Sequence, residues 1–394
     1  MFRRFFLKTE KYDACDYLVV ILTTMLVIFG IVMVFSASYY SSLSSVSGSP
    51  FSYLKKQLVF AVIGFVLMYV MSYTDYHLMR KWSLWIILIS YMLLVAVLTP
   101  IGTSVNGAQR WIILGPVSLM PGEIAKFGVI CFVASYFAFD IRRIKSFFRG
   151  VLPMVLLAGS IGALIVKQPN LSTAITVVGI IFCMMFIAGL EKKWIACAMG
   201  LGVAGLIIVA QTKTFWARRI LSFTDPFKDP KGAGFQAVQS LLALGTGGFT
   251  GLGLGKSVQK NLYLPEPQND FILAIIGEEL GFLGILILLI VFILLIWRGM
   301  QICMNAPDRF GMMMAGGITI MIGLQVVLNV AVVTSSMPVT GIALPFISYG
   351  GNSLWILMGS IGVLLNISRQ SEQPEPNAMT REARQVHLKK KTSV

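Results

Sequence analysis

The sequence predicts an all-α polytopic membrane protein, a bundle of ten transmembrane helices with one long loop between the seventh and eighth. Three observations predict it. Apolar residues make up 56% of the 394-residue chain and charged residues only 12%, where soluble domains carry about 25% charge. Mean hydropathy is +0.80. Apolar runs near the ~20 residues that cross a ~30 Å hydrocarbon core recur ten times, at about 17–38, 57–73, 82–99, 121–139, 151–167, 172–189, 194–211, 271–297, 311–333 and 352–367. They fill a transmembrane domain at 1–367, apart from a loop at 212–270, and leave a polar tail at 368–394 that reads as disordered.

The first run follows Arg3, Arg4, Lys8 and Lys11 as a signal peptide would. It is longer than the ~7–15 apolar residues of such a segment and lacks an A-x-A site, so it reads as a retained helix. Basic residues cluster at 3–11, 77–81, 142–149, 192–193, 298–309 and in the tail, whereas 39–54, 168–172 and 334–351 contain no Lys or Arg. The positive-inside rule then puts both termini in the cytoplasm. The formal charge of +15 follows this asymmetry, so it is not a nucleic-acid footprint. None of the five cysteines falls on an outer segment, so no disulfide framework is implied, and two scattered histidines exclude a His-rich metal site.

On that topology the irregular segments share the outer face: 106–126, the loop 212–270, and 335–353, which is apolar but rich in Pro and Gly. Such backbone survives at membrane depth only when buried in protein or lining a wet cavity. "GTGGFTGLGLGKS" at 245–257 mimics a phosphate-binding loop, but Thr250 stands where that pattern needs Gly, and no strand precedes it. Its six glycines in eleven residues mean tight turns and close approach of backbone to something.

Candidate residues each have a plain structural reading. Asp270 could cap the helix that begins after it. Glu278 lies inside that helix, on a face with Ala274, Gly277 and Gly281, which points it into the bundle; an ionisable group there is a functional hypothesis. Glu279, about 100° away, could be structural. Glu123 and Lys126 follow Pro121 as an ordinary helix start and an i,i+3 pair, yet Lys126 falls beyond a first turn already at the membrane edge. Arg110 and Trp111 fit an interfacial anchor. Lys167, Arg218, Arg219, Lys228, Lys231, Lys256 and Lys260 make the outer face basic, either as solvated surface or as a cradle for an anionic headgroup. The residues alone define a polytopic enzyme or carrier with an outward acid beside basic groups, acting on an anionic lipid.

The motifs "NGAQRWI" (106–112), "PGEIAK" (121–126), "GFQAVQSLLALGTGGFTGLGLGKS" (234–257), "YLPEPQNDFILAIIGEELGFLG" (263–284) and "PVTGIALPFISYGGNS" (338–353) resemble, in order, those of the SEDS family of bacterial cell-wall proteins, FtsW, RodA and SpoVE. The wording is nearer FtsW and SpoVE than RodA. Departures are Gly122 for a usual Ser or Ala, Asn170 for a common Asp, and Asn352 for a usual Ser. The resemblance implies a peptidoglycan glycosyltransferase in the bacterial cytoplasmic membrane, polymerising lipid II into a growing glycan strand. Its implied partners are a class B penicillin-binding protein and other divisome or elongasome membrane proteins. It implies Asp270 as the catalytic acid-base group. Expected substrate contacts are Arg110, Trp111, Glu123, Lys126, Arg218, Arg219, Gln239, Ser240, Lys256, Glu278, Ser348 and Tyr349. It implies no organic cofactor and allows Mg2+ or Mn2+ to assist.

In the expected chemistry Asp270 accepts the proton of the attacking sugar hydroxyl, and Arg110, Lys126, Arg218 and Arg219 stabilise the leaving diphosphate. Glu278 and Glu123 are expected to line the cavity and hold cationic partners. Two rival readings stand beside this one: a lipid II flippase, and a non-catalytic scaffold for a penicillin-binding protein.

Overall fold

The computed structural model describes residues 15–43, 49–105, 108–114, 117–191, 193–194, 223, 225–230, 232 and 234–371. The chain runs α1 (Tyr17–Leu43), α2 (Ser52–Tyr73), α3 (His77–Val97), β1 (Gly102–Val105), β2 (Ala108–Leu114), β3 (Val117–Leu119), α4 (Pro121–Phe139), α5 (Leu152–Lys167), α6 (Leu171–Ile187), α7 (Phe235–Gly247), α8 (Ile272–Met304), α9 (Arg309–Val333) and α10 (Gly351–Gln370). Among the described residues eight helices are long and apolar enough to cross a membrane, and Leu171–Ile187 is a shorter apolar helix. Most of the expected span at 194–211, and the tail beyond 371, lie outside the described residues. The protein is a multi-pass helical membrane protein.

Helix α9 packs against α4, α6 and α8, and α10 against α2. The central helices α4, α9 and α10 are the most enclosed. α2 instead turns Val59, Val62, Val66 and Tyr69 outward, as a helix facing lipid does. Polar side chains tie the helix ends. Buried Asn366 on α10 accepts from Tyr76 N at 3.1 Å and donates to Ser72 O at 3.0 Å. Asp308 caps α9 through Gly311 N at 2.9 Å and accepts from Tyr76 Oη at 2.5 Å, joining the α2–α3 and α8–α9 turns.

Two features depart from the expected all-helical bundle with a plain outer loop. Gly102–Val105, Ala108–Leu114 and Val117–Leu119 form a three-stranded antiparallel sheet in the order β1-β2-β3, with Gly102 opposite Ile112 and Thr103 opposite Trp111. The dipeptide Asn106-Gly107 between β1 and β2 is the sequence signal for such a hairpin. The loop 212–270 is also not irregular throughout, since 235–247 within it is helix α7, packed against α8.

The glycine-rich segment after α7 explains its composition here. Helix α8 is interrupted at Gly281, whose φ of 66° and ψ of −168° are non-helical. The interruption frees backbone groups, and the glycine-rich segment takes them over. Leu252 N and Gly253 N donate to Glu278 O and Glu279 O at 3.0 and 2.9 Å, while Phe282 N and Leu283 N donate to Gly248 O and Phe249 O at 2.9 and 3.2 Å. This answers the cost of unpaired backbone at membrane depth. The approach leaves no room for side chains: a Cβ on Gly281 would lie 2.4 Å from Gly251 N, and one on Gly247 would lie 2.0 Å from Gly277 O.

Candidate functional site

Asp270 precedes α8 rather than capping it. The residue at the cap position is Phe271, and no side-chain cap bond forms there. The backbone around Asp270 is instead zipped to the apolar 335–350 segment, which is non-helical as its Pro and Gly content required. Ser348 Oγ donates to Asn269 O at 2.6 Å and accepts from Leu344 N at 2.8 Å, and Tyr349 N donates to Gln268 O at 2.9 Å. Fully buried Asn329 of α9 pins both strands, donating to Asp270 O at 2.9 Å and Ile342 O at 2.6 Å. The half-buried Asp270 side chain stands against the backbone of Gly341, where a Cβ would be 2.9 Å from Oδ2 and φ is 77°. Tyr349 packs edge-on against Tyr53 with ring centroids 4.8 Å apart. Burial, and then the neighbouring Tyr53, push its phenol up to about 12, so it stays a neutral hydroxyl near pH 7.

The same end of the bundle carries the small sheet. Asn352 at the start of α10 donates to Ser118 O at 2.6 Å, joining β3 to the segment that holds Asp270. On β2, Arg110 is clamped to the α5–α6 turn: Nε donates to Gln168 O at 3.3 Å and a terminal nitrogen to Pro169 O. Gln168 in turn donates to Leu94 O at 2.9 Å. Trp111 follows Arg110 on the strand, half-buried. Asn170, the departure from a common Asp, caps α6 by accepting from Thr173 N at 3.3 Å, a task its amide oxygen performs as well as a carboxylate would. Directly after β3, α4 opens with Pro121 and places Glu123 and Lys126 as an ion pair 2.8 Å apart, with side chains 10% and 6% exposed.

A second polar cluster, beneath the first, is arranged otherwise than expected. Glu278 is fully buried, but it is met by a hydroxyl and backbone N–H groups rather than by a cation. It accepts from Ser257 Oγ at 2.5 Å, Val258 N at 2.9 Å and Gln259 N at 3.2 Å. The cation goes to its neighbour, because the ~100° step between adjacent helical residues turns Glu279 toward α1. There Lys260 Nζ meets Glu279 Oε1 at 2.7 Å, and Ser36 Oγ donates to the same carboxylate at 2.7 Å. Lys260, expected among the basic residues of the outer face as solvated surface or part of an anion cradle, is instead buried against Glu279; Ser36 and Asn329 carried no expected role. Their one sequence signal was a polar residue inside an apolar run.

The other expected contacts divide. Lys256 is exposed and Gln239 on α7 half-buried. Ser240 is fully buried, and its hydroxyl donates to Val333 O at 2.7 Å, fastening α7 to the end of α9. Ser348 likewise spends its hydroxyl on backbone. Arg218 and Arg219 lie outside the described residues. Among the described residues no group of three or more His, Cys, Asp or Glu side chains is placed to hold a metal ion.

The fold therefore defines a polytopic membrane protein whose connecting segments are hydrogen-bonded into a fixed platform around an acid at one end of the bundle. The chain belongs to the family of cell cycle proteins comprising FtsW, RodA and SpoVE, whose model matches residues 16–373. It is 42% identical over 364 residues to "Stage V sporulation protein E" of Bacillus subtilis, covering 92% of this chain and 99% of that one. It is 41% identical over 361 residues to the "Probable peptidoglycan glycosyltransferase FtsW" of Geobacter sp. strain M18, covering 91% and 98%. Among solved structures it matches a chain of a peptidoglycan synthase complex that coordinates polymerization and crosslinking. That match has a TM-score of 0.75 at 26% identity, covering 92% of this chain and all of that one.

Proposed function

We propose that this chain is a peptidoglycan glycosyltransferase that polymerises lipid II into glycan strands at the outer face of the bacterial cytoplasmic membrane, with both termini cytoplasmic. The reaction class is supported by relatives of that description that align over nearly the whole chain. The observation that carries the site is the setting of Asp270. It is a half-buried acid on a backbone pinned by Asn329, Ser348 and Tyr349 through its neighbours, at the one end of the bundle where Arg110 and the Glu123–Lys126 pair also lie.

In this reading the 4-hydroxyl of the acceptor sugar attacks the anomeric carbon of the donor, and the polyprenyl diphosphate leaves. Asp270 accepts the hydroxyl proton. Arg110, Lys126 and, by resemblance, Arg218 and Arg219 stabilise the charge growing on the diphosphate, with Lys256 and Gln239 as further substrate contacts. Arg110 is preorganised by the carbonyls of Gln168 and Pro169, so little reorganisation is needed as the leaving group develops charge. Among the described residues no group of three or more His, Cys, Asp or Glu side chains is placed to hold Mg2+ or Mn2+. A partner synthase of the penicillin-binding class would crosslink the strand.

The interrupted α8 with its buried carboxylates favours one other reading, a lipid II carrier, since broken helices and intramembrane charge serve transport. Purified protein with its partner and lipid II in vesicles separates the two: polymer supports the transferase, and crossing of the bilayer without polymer overturns it.

A further inference from the structure

We infer that the turn between α4 and α5 is a binding site for the phosphate headgroup of an anionic glycerophospholipid, in the leaflet opposite the Asp270 face. The inference does not depend on the transferase reading. α4 runs away from the sheet that carries Arg110, and α5 returns to Lys167 and the Gln168 carbonyl that Arg110 meets. The turn joining them therefore lies at the far end of the bundle. It borders an open cleft of about 610 Å3 lined by Tyr136, Asp140, Arg142, Arg143, Ser146 and Arg149.

Three guanidinium groups face one carboxylate in this lining, and that carboxylate is already engaged. Asp140 Oδ1 accepts from the backbone N–H of Arg142 at 3.1 Å and from its Nε at 3.3 Å. Beyond that contact the Arg142 side chain is 85% exposed. Arg143 is held over the Tyr136 and Phe139 rings at 4.9 and 4.7 Å, and Tyr136 Oη fixes the return of the chain by donating to Arg149 O at 2.5 Å. Planar guanidinium groups on a rigid turn suit the paired oxygens of a phosphodiester.

The surroundings select a lipid rather than a free anion. Phe139 and Phe148 are exposed by 72% and 75% beside the arginines, and Phe147 stacks on Trp194 with centroids 4.9 Å apart. Aromatic rings and cations interleaved at the ends of apolar helices are the signature of headgroup depth. Basic pockets between transmembrane helices take anionic lipid headgroups there.

Native mass spectrometry of the full-length protein in mild detergent tests this, with phosphatidylglycerol or phosphatidylcholine added. We expect the wild type to retain phosphatidylglycerol. Arg142→Gln/Arg149→Gln should lose about thirtyfold of that retention, the order expected for two surface cations, with phosphatidylcholine unchanged. Lys55→Gln/Lys56→Gln, an exposed basic pair at the start of α2, should retain it fully. Equal retention by the double-arginine variant, or equal loss by the lysine variant, overturns the site. Displacement by inorganic phosphate but not by chloride of the same ionic strength would assign the pocket to free phosphate and overturn the lipid. If the arginine variant does not fold, phosphatidylglycerol with a photoreactive headgroup decides on the wild type. Crosslinks within 136–149 support the proposal, and crosslinks confined elsewhere refute it.

Discussion

Lys260 and Glu279 form an ion pair of 2.7 Å with side chains 3% and 0% exposed, closed on its third side by Ser36 of α1, whose hydroxyl lies 3.0 Å from Nζ. The pair joins the segment after the glycine-rich turns to both α8 and α1. Removing one partner of such a pair leaves a charge stranded in low dielectric, at about 3–5 kcal/mol. We expect Lys260→Met and Glu279→Gln each to lower the thermal unfolding midpoint in detergent sharply, and Lys260→Met/Glu279→Leu to recover much of the loss. Additive losses in the double variant would show that the two groups are not coupled.

Asp270→Asn should abolish glycan polymerisation while the protein remains folded and bound to its partner. An amide keeps the shape of the side chain and its place beside Gly341 but cannot accept the hydroxyl proton. Polymer yield from lipid II, read on gels, is the measurement. Near-normal yield would remove Asp270 as the base.

Glu123 and Lys126 should couple in a double-mutant cycle, because each is the other's nearest opposite charge at 2.8 Å and both are largely enclosed. We expect each alanine change to cost on the order of 3 kcal/mol, and the double change far less than the sum. Independent effects would mean that the two side chains are separately solvated.

Gly281→Ala should destabilise severely. Its φ of 66° is strained for any L side chain, and the added Cβ would meet Gly251 N at 2.4 Å and Phe249 O at 2.6 Å. A positive φ alone costs on the order of 1 kcal/mol, and here backbone would also have to move. Gly159→Ala on α5, where nothing lies within 4 Å of the new atom, should be neutral or stabilise by up to ~1 kcal/mol. Comparable loss at both sites, measured as folded yield and thermal midpoint, would mean that the break at Gly281 is not required.

Sidedness can be read with a membrane-impermeant thiol reagent on intact cells in a background without native cysteines. Glu266→Cys, exposed and close in sequence to Asp270, should label from outside. Arg142→Cys, 85% exposed at the other end of the bundle, should label only after lysis. The reverse pattern would place Asp270 in the cytoplasm and end the cell-wall assignment.

The positions of most membrane spans were legible because lipid imposes a local rule: each span must be apolar and about 20 residues long. The runs 121–139 and 311–333 return as α4 and α9 within two residues. The motif residues around Asp270 were also legible as a group, since charge in an apolar setting is conspicuous. Their partners were not. That Asn329 would pin the backbone of Asp270, and that Ser240 and Ser348 would spend their hydroxyls on backbone carbonyls, depend on contacts spanning 59, 93 and 79 residues. The hairpin at 102–119 was signalled by Asn106-Gly107 but masked by the helical character of everything around it.

By itself the sequence determined the polytopic class, the order of the spans and the residues with chemistry to offer, because burial in lipid and charge avoidance act on each segment alone. Only the tertiary structure decided that α8 breaks at Gly281 and that the glycine-rich segment repairs the break. It alone gave Lys260 to Glu279 while leaving Glu278 to Ser257 and backbone N–H donors. Those outcomes turn on which distant backbone reaches a vacant hydrogen-bonding group first, and no local pattern carries that information.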